Sequence, residues 1–478
     1  MPEQTKIKRN GVTPITSYNE GEKKFGIVKE FREEPLKFLS RLAKLDDDIV
    51  EFKAAALPFA LVNDPEMANQ ILVKMQGTYT KSDRSNRILN FAFGDGVLST
   101  PSAESHRIHR KIIMPGFQRT QLELFAEQIN NLVQNYFSTI ELTQPRDISR
   151  DMFRITLGII NKTLFNFDVD SQIHLSDEIG DSVQAIQEGI YKKFNQLLPR
   201  PQWLPTPTNR KLKSSKEQVS ILISHLMDNR LKRKTETDRH KDMLDILLEA
   251  RYENGDSLEK SQIIDELVTL IFAGHETTAN SMVWTIYLLT QNPRALEQIK
   301  KEVDALGPVN FDYHNLKKLH YTEQVIKESM RIYPPVWCLG ARTSRDENII
   351  GEYHIPKGIE MLVAPYTMHR NPIYFPDPEK FDPERFSPEA EKKLPRGAYI
   401  PFGLGPRICA GNHFAMMEAK IILANFVRQF DFSLCENQTI NPRPQITLSN
   451  ETGMHVEMKL RKEVERKVKV DTEELAFP

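Results

Sequence analysis

Apolar positions recur at helical spacing through most of the chain, with short extended runs near its two ends. Residues 49–52 and 59–62 read as strands, and Asp64-Pro65 then caps a helix reaching about Lys74. Between residues 75 and 100 the periodicity fails. Gly77, Gly94 and Gly96 punctuate a stretch carrying Ile88, Leu89, Phe91 and Phe93, which predicts an apolar loop covering a cavity. Helical patterns resume at residues 104–111 and dominate residues 122–248, broken at 198–207 by prolines around Trp203, a mobile connection. Ile186, Ile190, Tyr191 and Phe194 form a stripe there whose default reading is core packing. Residues 230–241 are dense in charge of both signs and read as a solvated turn.

Residues 261–291 support one helix of about eight turns with apolar groups on every side, so it is expected at the centre of the fold. After it, residues 346–363 hold extended runs turned at Gly351 and Gly358, and residues 447–460 predict a last hairpin turned at Thr452-Gly453. The expectation is one mainly α domain with small β-sheets over residues 1–478. Residues 1–48 form an N-terminal segment and residues 461–478 a charged, fraying tail.

Composition narrows the function more by exclusion than by suggestion. The chain has 478 residues, 64 Lys plus Arg and 65 Asp plus Glu, so its net charge of -1 calls for no nucleic acid and no anionic membrane. Cys338, Cys409 and Cys435 form no CxxC pair, which argues against a disulfide framework and a structural zinc site and fits a reducing compartment. No apolar run reaches the roughly 18 residues of a membrane span. A cytoplasmic protein without an anchor, acting as a monomer, is expected.

Three clusters carry candidate chemistry. In residues 399–420, glycines and Pro406 force a tight loop bearing Arg407 and Cys409, and a helix begins past Gly411. A cysteine facing a helix N-terminus is favoured as a thiolate, the form that nucleophiles and metal ligands need. In the central helix, Ala273-Gly-His-Glu-Thr-Thr278 places Gly274 where it costs about 1 kcal/mol relative to alanine. That cost suggests close approach of a ligand, with the Thr277 hydroxyl one turn on and the Glu276 carboxylate beside it. His275-Glu276 is no zinc-protease helix, because Ala279 stands where the second histidine is required. Third, Glu328 and Arg331 share a helix face and Arg385 lies between aromatic residues; the reading is a structural lock if buried, a weak surface pair if not. Nearer the N-terminus, His106, His109 and Arg110 share a helix face, read as an anion-binding surface in preference to a metal pair because no carboxylate or cysteine completes a ligand set nearby.

These motifs, in this order and spacing from about residue 49 to 460, resemble the cytochrome P450 family of haem-thiolate monooxygenases. Phe402-x-x-Gly405-x-Arg407-x-Cys409-x-Gly411 is similar to its cysteine-ligand signature, residues 273–278 to its oxygen-activation motif, and Glu328-x-x-Arg331 with Arg385 to its salt-bridge triad. The resemblance implies haem b between the long central helix and the helix after Cys409. Cys409 would be the axial iron ligand, with Phe402, Gly411, Ala273 and Gly274 against the cofactor and Arg110, Arg342 and Arg407 holding it. One departure stands out: His106 occupies the place where the family usually has tryptophan in a W-x-x-x-R pattern.

The same resemblance implies insertion of one oxygen atom from O2 into an apolar substrate such as a fatty acid, terpenoid, steroid or carotenoid, thiolate donation favouring cleavage of the oxygen–oxygen bond. Glu276 and Thr277 would organise proton delivery. Ile88, Leu89, Phe91, Phe93, Phe194, Val336, Trp337, Leu339 and Met454 match the segments that contact substrate. Electrons would come from a separate ferredoxin or flavodoxin with its NAD(P)H-dependent reductase, docking near Arg107, Lys111, Lys392, Lys393 and Arg396; solvated surface charge is the competing reading of those five. A peroxygenase, a haem isomerase or a non-catalytic haem sensor are the alternatives, and the acid–alcohol pair counts against each.

Overall fold

The structure, a computed structural model, describes residues 13–18, 24–45, 47–54, 57–166, 173–196, 200–232 and 241–461. The charged tail and most of the charge-dense turn near residue 235 lie outside these residues, as do residues 197–199 of the proline-rich connection.

Nine helices frame the site: α1 (Asp83–Phe93), α2 (Ala103–Ile113), α3 (Arg119–Ser138), α4 (Ile148–Phe165), α5 (Ile173–Phe194), α6 (Pro207–Lys232), α7 (Lys260–Gln291), α8 (His320–Ile332) and α9 (Asn412–Gln429). Helix α7 is the axis. Its apolar residues point in all directions because α4, α6, α8 and α9 pack around it, and Trp284 within it is fully buried, donating from Nε1 to the Leu448 carbonyl at 2.8 Å. Gly274 reveals what its missing side chain is for: a Cβ there would stand 2.5 Å from Cδ1 of Ile160 on α4. The glycine lets two helices close on each other, a use of the missing side chain that the sequence alone does not reveal.

Helix α1 corrects the expected loop over residues 75–100. Ser82 caps it by accepting from the Ser85 N–H, Asp83 occupies its first turn, and Gly94 ends it at φ +76°. Ile88, Leu89, Ala92 and Phe93 lie at i, i+1, i+4 and i+5, a helical pattern too short to stand out between glycines.

The main sheet contains β1 (Thr16–Ser17), β2 (Ile49–Ala54), β3 (Leu57–Val62), β4 (Tyr79–Lys81), β5 (Arg342–Ser344) and β6 (Glu360–Val363) in the order β1-β2-β3-β6-β5-β4. The two predicted strands, β2 and β3, pair antiparallel, and β6 joins β3 in parallel. The predicted last hairpin is not one. Strand β8 (His455–Leu460) pairs with β7 (Phe430–Leu434), while Leu448–Asn450 pairs with Pro442–Pro444. Gly453, at φ +74°, packs against the Asp147 carboxylate, which also accepts from the Met454 N–H at 3.1 Å; this anchor passes the chain from one sheet to another.

Gly405 sits at φ +78°, where a Cβ would collide with the Leu72 carbonyl, whereas Gly77 has ordinary φ and open space around it. Gly405→Ala is expected to lower the thermal midpoint sharply and Gly77→Ala to leave it unchanged or raise it slightly, with stability gained at the second site by restricting the unfolded chain. Equal midpoints for the two variants would show that the cysteine loop does not depend on this close approach.

Candidate active site

The cysteine loop is built by backbone constraints. Gly403 and Gly405 both take positive φ, the Cys409 N–H donates to the Phe402 carbonyl at 2.9 Å, and Gly411 precedes the first turn of α9. Two arginines tie this loop to α2. Arg110 donates to the Ile408 carbonyl at 2.5 Å, and Arg407 reaches the carbonyls of Thr100, Pro101 and Ser102 at 3.3 to 3.4 Å. Cys409 is a free thiol with exposed surface. Burial nevertheless pushes its pKa up, against the Gly411 backbone N–H and the charge of Arg110, as suits a side chain enclosed by the fold but open to a cavity. The helix terminus alone does not make it a thiolate.

Around this loop positive charge accumulates without a counter-charge. Lys81 and Arg342 stand directly opposite each other on β4 and β5, a pairing of like charges that destabilises a sheet. Lys81 is buried and donates to the Leu98 carbonyl; burial, then Arg407 and Arg342, bring its pKa down to about 7. Burial and Arg407 lower Arg342 to about 10, and its bonds go to the carbonyls of Gly340 and Ala341. Lys81, Arg110, Arg342 and Arg407 thus all bond to backbone carbonyls, and none pairs with a carboxylate among the described residues. Lys81 escapes detection in the sequence, because only strand register reveals that it faces Arg342.

The two histidines of α2 part company. His106 is buried beside this cluster, where desolvation and then Arg407, Arg110 and Lys81 hold its pKa down to about 3, so it is neutral and adds no charge. His109 faces α7: its Nδ1 lies 3.1 Å from Glu266, a buried carboxylate raised to about 7 by desolvation that also accepts from the Val97 N–H at 3.0 Å. A carboxylate does therefore stand beside His109, contributed by a helix some 160 residues away in sequence, where local reading cannot find it. No group of three metal-ligating side chains forms among the described residues.

On α7, Ala273 is exposed although Phe272 and His275 nearby are buried. The Thr277 hydroxyl donates to the Ala273 carbonyl at 2.7 Å. Glu276 points elsewhere: it accepts from the Gln187 amide of α5, and burial raises it to about 7 against bonds from Thr447 and Gln187. The acid and the alcohol are neighbours in sequence but bonded to different partners. Gln187 is a further residue that the sequence reading missed, since nothing in α5 marks it.

Glu328 and Arg331 settle the surface-or-buried question: neither has exposed side-chain surface. Arg331 bonds both Glu328 oxygens at 2.7 and 2.9 Å and donates to the carbonyls of His369 and Lys380. Arg385 approaches Glu328 at 3.5 Å and bonds the Pro376 and Asp377 carbonyls, while the Asp382 N–H donates to Glu328 at 2.9 Å. His369, buried and held neutral by desolvation, accepts from the Ile400 N–H at 2.8 Å, carrying the clamp to the start of the cysteine loop. The Glu328–Arg331 pair at its centre is fully enclosed, and Arg385 closes it from the partly exposed side.

Of the residues expected against substrate, Ile88, Leu89, Phe91, Phe194, Val336 and Leu339 are half-buried. Phe93 and Met454 are corrections: both are completely enclosed, Phe93 against the Phe272 ring at 4.4 Å, so they pack the core. Trp337 is anchored by its indole N–H on the Gln445 carbonyl at 2.9 Å.

The sequence matches the family described as Cytochrome P450 over residues 23–457. It is 31% identical over 417 residues to cyclooctatin synthase of Streptomyces melanosporofaciens, covering 87% of this chain and 89% of that one. To cyclooctat-9-en-7-ol 5-monooxygenase of the same organism it is 30% identical over 401 residues, with 83% and 84% covered. To the LUTEIN DEFICIENT 5 protein of Arabidopsis thaliana it is 29% identical over 436 residues, with 86% and 71% covered. The fold matches the crystal structure of a cytochrome P450, CYP102L1, with a TM-score of 0.81 at 24% identity, covering 94% of this chain and 99% of that one. The chain belongs to the cytochrome P450 family and is a monooxygenase of that family, an oxidoreductase of the haem-thiolate class that requires O2 and a source of electrons. No helix among the described residues is long and apolar enough to cross a membrane.

Removing Glu328 would strand Arg331 as a buried, unpaired cation, a loss of about 3 to 5 kcal/mol. Glu328→Ala is therefore expected to unfold at much lower urea than the parent and to retain little cofactor. A parent-like urea midpoint would show that the clamp is energetically idle.

Proposed function

We propose that this chain holds haem b through Cys409 and hydroxylates an apolar organic substrate, with Thr277 and Glu276 managing proton delivery. The observation that carries the reading is the set of cations beside the cysteine loop. Lys81, Arg110, Arg342 and Arg407 form a cradle with no carboxylate partner among the described residues, which suits the two carboxylates of a haem. His106 would contribute packing and a neutral nitrogen where relatives of the family carry tryptophan. Phe402 and Gly411 border the cysteine, and Ala273 presents exposed surface on the central helix. Gly274 contributes indirectly, by seating α7 against α4.

Bound haem supplies activation of O2 toward carbon–hydrogen bonds, and thiolate ligation favours the cleavage that this requires. Burial keeps the Cys409 thiol neutral without a metal, so its proton leaves when a metal binds. Thr277 already donates its hydroxyl hydrogen to the Ala273 carbonyl, which leaves its oxygen able to accept a further hydrogen bond. Glu276, with a pKa near 7, exchanges protons readily at neutral pH, the property wanted in a relay. Its bond to Gln187 means that it must turn to serve Thr277.

The half-buried apolar groups Ile88, Leu89, Phe91, Val336 and Leu339 favour an apolar substrate, as does similarity to proteins whose names specify cyclooctatin synthesis and monooxygenation of cyclooctat-9-en-7-ol. A cavity of about 720 Å³ opens beside α2 and the cysteine loop, lined by Arg107, Arg110, Lys111 and Arg407 among others. With exposed Lys392, Lys393 and Arg396, this basic surface suits an acidic ferredoxin or flavodoxin. Arg107 and Lys111 share Glu253, at 3.8 and 3.1 Å, a surface pairing that a partner's carboxylates can displace.

The test supplies ¹⁸O₂, a reductase system and a panel of terpenoids and fatty acids to the parent and to Thr277→Ala. One labelled oxygen atom should appear in product. The variant should bind substrate as the parent does but release more hydrogen peroxide per nicotinamide consumed, with product falling about 100-fold or more if the hydroxyl serves general acid catalysis. Product oxygen drawn from water, or a variant that loses substrate affinity while keeping its coupling, would refute the assignment.

A further inference from the structure

Helices α1, α5 and α7 meet pairwise at three corners. At the first, Gln187 of α5 donates to Glu276 of α7. At the second, Phe93 of α1 packs on Phe272 of α7 with ring centroids 4.4 Å apart. At the third, α5 reaches α1: the Lys193 ammonium sits 4.7 Å from the centroid of the Phe91 ring, and Arg84 donates to the Phe194 and Gln196 carbonyls at 3.3 Å each. Exposed Ala273 and half-buried Thr277 lie on α7 beside the first two corners.

Lys193 is out of place for a structural residue. It completes the inward stripe of α5 after Ile179, Val183, Ile186 and Ile190, all buried, and is itself only 6% exposed. A surface lysine would reach water past its apolar stem. This one keeps almost no accessible surface, and its ammonium makes neither a hydrogen bond nor an ion pair with any described residue; it faces the Phe91 ring. Burial alone lowers its proton affinity, with no carboxylate in reach to raise it. The C-terminal turn of a helix attracts a cation, but Arg84 already occupies the carbonyls at this end of α5. A ring face replaces only part of the hydration that the ammonium has lost.

Resting on the function proposed above, we infer that Lys193 is the anchor for a carboxylate on the substrate, so that the enzyme selects apolar acids over the corresponding alcohols and esters. The carboxylate would pair with the ammonium at the α1–α5 corner, and the apolar body would extend past Phe91 and Ile88 toward Ala273 and Thr277. Charge-assisted pairing in a dry site is the contact that most strongly separates an acid from a neutral analogue. Lys193 is thereby a specificity residue and takes no part in oxygen chemistry.

The test measures calorimetric binding of two matched sets, dodecanoate with dodecanol and methyl dodecanoate, and abietate with abietinol and methyl abietate. The proteins are haem-loaded parent, Lys193→Met and Lys193→Arg. At least one parent set should favour the acid by about tenfold or more. Lys193→Met should abolish that preference while binding the alcohol as the parent does, and Lys193→Arg should keep it. No preference in either set, no binding at all, or a preference that survives in Lys193→Met overturns the inference. Haem content and the axial ligand, read separately by spectroscopy, report on the underlying haem-thiolate assignment, so the two can fail independently.

Discussion

Uncompensated positive charge beside the cysteine loop is the constraint on which the site depends. Lys81 and Arg342 face each other across adjacent strands, Arg407 lies close enough to lower the proton affinity of both, and Arg110 joins from α2. Left alone, this arrangement opposes folding: a buried lysine with a pKa near 7 binds fewer protons in the folded chain than in the unfolded one across neutral and mildly alkaline pH. The protein tolerates it because each cation is fixed by backbone carbonyls and because the loop and sheet bearing them are held by other means. On the function proposed here, the resolution is a dianionic cofactor, whose binding would turn mutual repulsion into attraction and couple cofactor retention to the fold.

Those other means are the Glu328–Arg331–Arg385 clamp and the central helix. Glu328 and Arg331 have no exposed side-chain surface and Arg385 little, and through His369 and the Ile400 N–H the clamp fixes the chain entering the cysteine loop. Helix α7 supplies the opposite support. Gly274 seats it on Ile160, Trp284 locks its far end to Leu448, and the carboxylates of Asp265 and Glu266 hold the backbone N–H groups of Asp95 and Val97 after α1. Thr277 and Glu276, the residues proposed to handle protons, are consequently mounted on a well-braced helix, while Glu276 is tethered to α5, an element that also carries Lys193.

What could be read from the sequence was whatever is local. The cysteine loop is legible because its glycines and its cysteine lie within a few residues of one another, and α7 because about eight turns of apolar residues leave no other reading. The clamp was legible in residue type but not in burial, which depends on segments far apart in the chain. Lys81, Gln187 and Glu266 were invisible for the same reason: each acquires meaning only from a partner on another element, at Arg342, Glu276 and His109. Helix α1 was hidden by flanking glycines. Gly274 is legible as a weak point in its helix, but its contact is not: a glycine there can admit a ligand or a neighbouring helix, and only the fold shows that a Cβ would meet Ile160.

The most direct measurement is the absorption spectrum of the reduced protein under carbon monoxide, taken for the parent and for Cys409→His. Axial ligation by Cys409 predicts the red-shifted band of thiolate coordination in the parent and its replacement by the shorter-wavelength band of imidazole coordination in the variant. A thiolate band that survives in Cys409→His, or a parent that binds haem without ever showing one, would contradict the assignment.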